Sequence, residues 1–108
     1  MTKWLVIVES NCKEPAKEDE FNRWYNEIHL HDVLETLGVV RATRYERIAP
    51  EEGQAKYVAL YEVEADDLGA VMNSVEENIA RKASQGRMSP LLEMTSTSSY
   101  RHMISLER

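Results

Sequence analysis

Val39-Val40-Arg41-Ala42-Thr43-Arg44-Tyr45-Glu46-Arg47-Ile48, then Ala49-Pro50-Glu51-Glu52-Gly53-Gln54-Ala55, then Tyr57-Val58-Ala59-Leu60-Tyr61-Glu62-Val63: this stretch decides the fold. Its two ends are rich in β-branched and aromatic residues and read as strands. The piece between them carries Pro50 and Gly53 and reads as a hairpin loop. A helical segment flanks the hairpin on each side. Upstream, Glu18, Asp19 and Glu20 suit a first helical turn, where carboxylates meet the positive end of the helix dipole. That helix is expected from about Lys17 to Leu37, with Phe21, Trp24, Tyr25 and Ile28 as its buried stripe and Gly38 just past its end. Downstream, Asp66 and Asp67 are N-cap candidates for a second helix. Its Leu68, Val71, Met72, Val75 and Ile79 keep helical spacing, and Gly86 and Pro90 mark its exit.

Two further strands close the pattern. Trp4-Leu5-Val6-Ile7-Val8 is a continuous apolar run and reads as a central strand covered on both faces. Met94 to Leu106 is rich in Thr, Ser, Tyr and Ile and reads as the last strand. The order β-α-β-β-α-β predicts one α+β domain over residues 1–108, a four-stranded antiparallel sheet with two helices on one face. Val58 and Leu60 must then point away from Tyr57, Ala59 and Tyr61. Both sets are largely apolar, so the face opposite the helices needs a cover. A second copy of the same sheet supplies it, and a two-fold homodimer is expected.

Composition narrows the function. A chain of 108 residues suits one domain with one modest core, so a ligand site should lie between layers or at a subunit contact. The net charge of −6 and the scattered Lys and Arg argue against nucleic acid. Cys12 is the single cysteine, which fits a reducing compartment. No run approaches the ~20 apolar residues of a membrane span, and no secretory signal is evident, so a cytoplasmic protein is expected. There is no phosphate loop, GxSxG or dinucleotide fingerprint.

The chemistry concentrates in Trp24-Tyr25-Asn26-Glu27-Ile28-His29-Leu30-His31-Asp32. On a helical wheel the stripe should continue past Ile28 with an apolar residue, and Asp32 stands there instead. His29 lies on one edge and His31 on the other. Tyr25 and His29 are i, i+4 neighbours, and His29 and Asp32 are i, i+3 neighbours. A carboxylate beside an imidazole holds its tautomer, and a histidine near neutrality is a good acid or base. A phenol one turn away can donate to an oxyanion. His29, Asp32 and Tyr25 are therefore the catalytic candidates, suited to proton transfer beside a carbonyl. The structural alternatives are that His29 and Asp32 satisfy each other, that Asp32 caps a short helix from Val33 to Leu37, and that Trp24 and Tyr25 are core residues.

Other groups extend this set. Trp24, His31, Tyr45, Tyr61 and His102 are candidate substrate contacts. Tyr100, His102 and Ile104 share one face of the last strand, either toward the helices beside His29 or toward the dimer contact. Tyr57 and Tyr61 share a face of the third strand. Arg44, with Ala42 and Glu46, reads as an edge-strand arginine. His29 and His31 diverge on a regular helix, so no obligatory metal is expected, and no other cofactor.

Phe21, Trp24-Tyr25, His29, Asp32, Leu34, Gly38-Val39, Ala42 and Arg44-Tyr45 resemble the EthD-like branch of the dimeric α+β barrel (ferredoxin-like) superfamily. The resemblance implies a homodimer with a ligand cleft between sheet and helices in each subunit. Similar proteins include polyketide cyclases, lactone isomerases, cofactor-free oxygenases and haem-degrading enzymes. Members often read His-x-Pro-Asp at the end of this segment. Here His31 takes the proline's place, which removes a helix breaker and adds an imidazole. The function expected is a cofactor-independent lyase, cyclase or isomerase acting on a small, aromatic or polyketide-like carbonyl compound. The alternatives are a cofactor-free monooxygenase of an aromatic substrate and a non-catalytic small-ligand or stress protein.

Overall fold

A computed structural model describes residues 1–108. Four antiparallel strands form one sheet: β1 (Thr2–Cys12), β2 (Val39–Glu46), β3 (Tyr57–Ala65) and β4 (Leu92–Arg101). Their order across the sheet is β2-β3-β1-β4, so the apolar first strand is central, as its composition requires. The helical layer contains α1 (Glu18–Trp24), a π-helical turn Tyr25–His29, α2 (Leu30–Leu34) and the long α3 (Leu68–Ser84). The chain is thus ferredoxin-like, with βαββαβ order. No helix is long and apolar enough to cross a membrane.

Alternation sorts the sheet into two faces. Val6 pairs with Tyr61 and Val8 with Ala59, and these face the helices with Val63. Phe21, Tyr25 and Val33 pack down on them from α1, the π turn and α2. Leu68, Val71, Met72, Val75 and Ile79 of α3 close the same core, and the Asp67 carboxylate caps that helix by accepting from the Ala70 N–H at 3.2 Å. On the opposite face Leu5, Ile7, Val58 and Leu60 are only half covered.

Three features differ from the expected layout. First, α1, the π turn and α2 run on continuously but stop at Leu34, and the middle is under-wound. The Leu30 N–H donates to the Tyr25 carbonyl, an i→i+5 bond. The extra residue rotates the buried stripe, so His29 and Asp32 are buried and Ile28 is half exposed. Asp32 therefore lies inside a continuing helix and does not cap a new one. Second, β4 starts at Leu92 and ends at Arg101, leaving 102–108 outside regular structure. Third, β2 ends at Glu46, short of Ile48, whereas β1 and β3 run further than their apolar runs, because both are paired on two sides. Gly38 adopts φ +102° after the helix, and a Cβ there would meet Val71 Cγ2 at 2.8 Å. Both the turn and the close approach of α3 require glycine.

Candidate active site

Between the sheet and the helices lies a cavity of about 350 Å³. Its walls are mostly apolar, with Val6, Val8 and Val63 from the sheet and Val33, Val75 and Ile79 from the helices. Met72, Met88 and Met94 supply flexible, polarisable surface. The exposed lining residues Glu76, Met94 and Thr97 mark a mouth between α3 and β4. The buried polar groups Tyr25, His29 and Tyr61 mark the inner end.

His29 is the centre of this inner end. Its ring is 7% exposed. Trp24 stacks on it with centroids 4.9 Å apart and planes 20° apart, and Tyr25 meets it edge-on at 4.9 Å and 85°. The wider π turn brings position 24 under position 29. Nδ1 is sealed without a hydrogen-bond partner, while Nε2 keeps access to the cavity. Burial pushes the pKa down to about 4, against an upward pull from Asp32, and the Arg44 charge lowers it further. The imidazole is therefore neutral at pH 7.

The phenols complete the floor. Burial raises the pKa of Tyr25 and of Tyr61, so both remain protonated donors. The Tyr61 hydroxyl is buried, with the Tyr25 hydroxyl beside it. With His29 these two phenols are the buried polar groups of a lining that is otherwise apolar.

Asp32 does not orient His29 directly. It is 1% exposed, and Arg87 donates to both of its oxygens at 2.8 Å. A guanidinium fork is a stronger partner for a carboxylate than a neutral imidazole is. The fork holds the Asp32 carboxyl below its usual range and fixes the segment after α3. The Arg87 carbonyl in turn accepts from Trp24 Nε1 at 2.8 Å, so Asp32 acts on His29 through Arg87 and Trp24. Trp24 backs the histidine and is not part of the cavity lining.

Three expected contacts lie elsewhere. His31 is exposed, on the solvent side of the helix. Tyr45 is 58% exposed on the outer sheet face, because Arg44 and not Tyr45 pairs with the inward Ala59. His102 follows β4 on the outer side with Tyr100, whose partner Leu5 faces outward; its Nε2 lies 2.8 Å from Ser105 Oγ. His29 and His102 are on opposite faces of the sheet and do not converge.

Arg44 is better placed than its edge-strand position implied. Its guanidinium sits 4.1 Å from the Tyr25 ring centroid, and it donates to Asn26 Oδ1 at 2.8 Å and Asn22 Oδ1 at 3.0 Å. It braces Tyr25 from behind. Glu76, Thr97 and Met88 were not among the sequence candidates, and their only signal was proximity to the α3 stripe, the last strand and Gly86.

No protein-family profile and no curated protein matches the chain in sequence. Solved structures do match in fold. HapK from Hahella chejuensis superposes with a TM-score of 0.72 at 16% identity, covering 97% of both chains. The heme-degrader MhuD from Mycobacterium tuberculosis, with two hemes bound in its active site, gives 0.65 at 15% identity, covering 96% of this chain and 99% of that one. An EthD family protein from Bacillus halodurans gives 0.60 at 13% identity, covering 95% and 100%. Others are described as dimeric ferredoxin-like proteins. The chain has the fold of that dimeric ferredoxin-like class, EthD protein included, in agreement with the resemblance seen in the first helix and second strand.

Proposed function

We propose that the chain is a cofactor-independent proton-transfer enzyme of lyase, cyclase or isomerase type. Its substrate is a small, largely apolar carbonyl compound, aromatic or polyketide-like. The observation that carries this reading is that His29, Tyr25 and Tyr61 are the buried polar groups in the lining of an otherwise apolar cavity. Neutral Nε2 takes a proton from the carbon beside the carbonyl. The C–H electron pair becomes a C=C bond, and the carbonyl electrons move onto oxygen. Tyr61, with Tyr25 near it, donates to that oxygen. The imidazolium then returns the proton to another carbon or to a departing or ring-closing oxygen. An imidazole of low pKa is a weak base alone, but the enolate beside it raises its proton affinity within the low-dielectric cavity.

The haem of the MhuD complex fits these residues poorly. His29 would be the residue to hold the iron, but no Lys or Arg lines the cavity for propionates, and Glu76 stands at the mouth. A second reading uses the same His29 to deprotonate a phenol whose anion reacts with oxygen directly. Oxygen consumption during turnover separates the two.

The working unit of this reading is a homodimer. The half-covered Leu5, Ile7, Val58 and Leu60 would pack against their counterparts, burying the outer sheet face.

Solvent deuterium exchange at the α-carbon of β-tetralone tests the chemistry. Wild type is expected to accelerate exchange, and His29→Gln to lose at least ~100-fold of that acceleration. Undiminished exchange in the variant contradicts the assignment. Ligand binding with no exchange by wild type supports a non-catalytic binding protein instead.

A further inference from the structure

The cavity lining carries a single formal charge, Glu76 at its mouth. No lysine or arginine lines it. The cations nearby are committed elsewhere. Lys82 of α3 meets Glu35 at 2.7 Å, and Arg81 donates to Asn78. Arg87 is held by Asp32, and Arg44 by Asn22, Asn26 and the Tyr25 ring. The Glu76 carboxylate therefore faces the entrance uncompensated.

Accepting the cavity as the substrate site, we infer that Glu76 sets its charge selectivity. It favours ligands whose outer end carries an amine or other cation, admits neutral ones, and rejects carboxylates. The ligand class is an apolar or aromatic body with a hydrogen-bonding oxygen at the His29 and Tyr61 end and a basic or neutral group at the mouth. Two physical terms combine. An anion entering an apolar cavity loses its hydration and finds no cation to replace it. It also meets the Glu76 charge, in the field of a chain of net charge −6. A cation gains from both fields, and its ammonium stays partly hydrated at the open mouth. Thr97 across the mouth adds a hydroxyl of either hydrogen-bond sense.

Three compounds of one skeleton test this by titration calorimetry: tyramine, para-ethylphenol and para-hydroxyphenylacetate. Each offers the same phenol to His29, with a cationic, neutral or anionic outer end. Tyramine is expected to bind about threefold more tightly than para-ethylphenol at low salt, and the carboxylate about tenfold more weakly, with both gaps shrinking as salt is added. Glu76→Gln should remove the advantage of tyramine and leave para-ethylphenol unchanged. Glu76→Lys should reverse the order. Glu76 is exposed, so neither variant threatens folding. If para-ethylphenol binds but the charge order is absent or survives Glu76→Gln, the selectivity inference is wrong and the cavity reading stands. If none of the three binds, both are wrong.

Discussion

The indole of Trp24 covers the imidazole of His29 at 4.9 Å between centroids, and a π turn makes the two meet. The cover explains why the histidine is neutral: its ring is desolvated, with a pKa of about 4 against the ordinary 6.5. Stability should follow. Between these values the unfolded chain binds a proton that the folded chain does not. Stability contributed by His29 is therefore complete above pH 6.5 and is lost as pH falls toward and below 4, by about 3 kcal/mol in all. Denaturant unfolding across this range should show that loss, and His29→Leu should flatten it. An equally steep profile in the variant would assign the slope to other groups.

Tyr61→Phe should separate stability from function. The hydroxyl it removes is buried with only the Tyr25 hydroxyl beside it, so unfolding free energy should change by no more than about 1 kcal/mol in either direction. Deuterium exchange into β-tetralone should fall about 10- to 100-fold, since an oxyanion donor is lost. Destabilisation with full exchange would mean that the hydroxyl is structural.

The element order, the central first strand, the Asp67 cap and the glycine at position 38 were legible because each rests on local pattern or backbone geometry. Tyr25 and His29 were legible as a pair for the same reason. The π turn was not, since no residue type marks a one-residue under-winding, and it exchanged Ile28 for His29 in the buried stripe. The partner of Asp32 was hidden because Arg87 lies 55 residues away in sequence. The sidedness of His102 was open because alternation defines two faces without saying which meets the helices; pairing of Tyr100 with Leu5 decides it.

The Asp32–Arg87 fork makes an asymmetric prediction. Arg87→Ala leaves a buried carboxylate with Lys82 at 4.0 Å as its remaining cation, whereas Asp32→Asn leaves a half-exposed guanidinium that water can solvate. In thermal unfolding, Arg87→Ala should be the worse of the two, and adding Asp32→Asn to it should restore part of the loss. Both variants should loosen Trp24 and lower exchange. Equal, additive effects would show that the pair is not coupled.

Leu60→Lys places a charge in the middle of the outer sheet face without touching the cavity. Sedimentation should show the wild type as a dimer and the variant as a monomer with its helices and strands retained. A monomeric wild type would remove the dimer from the account.

On this reading His29 is a neutral base with Nε2 open to the ligand. The direct measurement is a nitrogen-15 NMR titration of its ring from below pH 4 to above pH 7, alone and with para-ethylphenol. The midpoint should fall near 4, the ring should be neutral throughout the physiological range, and the ligand should shift Nε2 and not Nδ1. A midpoint at the ordinary 6.5, with neither nitrogen responding to the ligand, would contradict it.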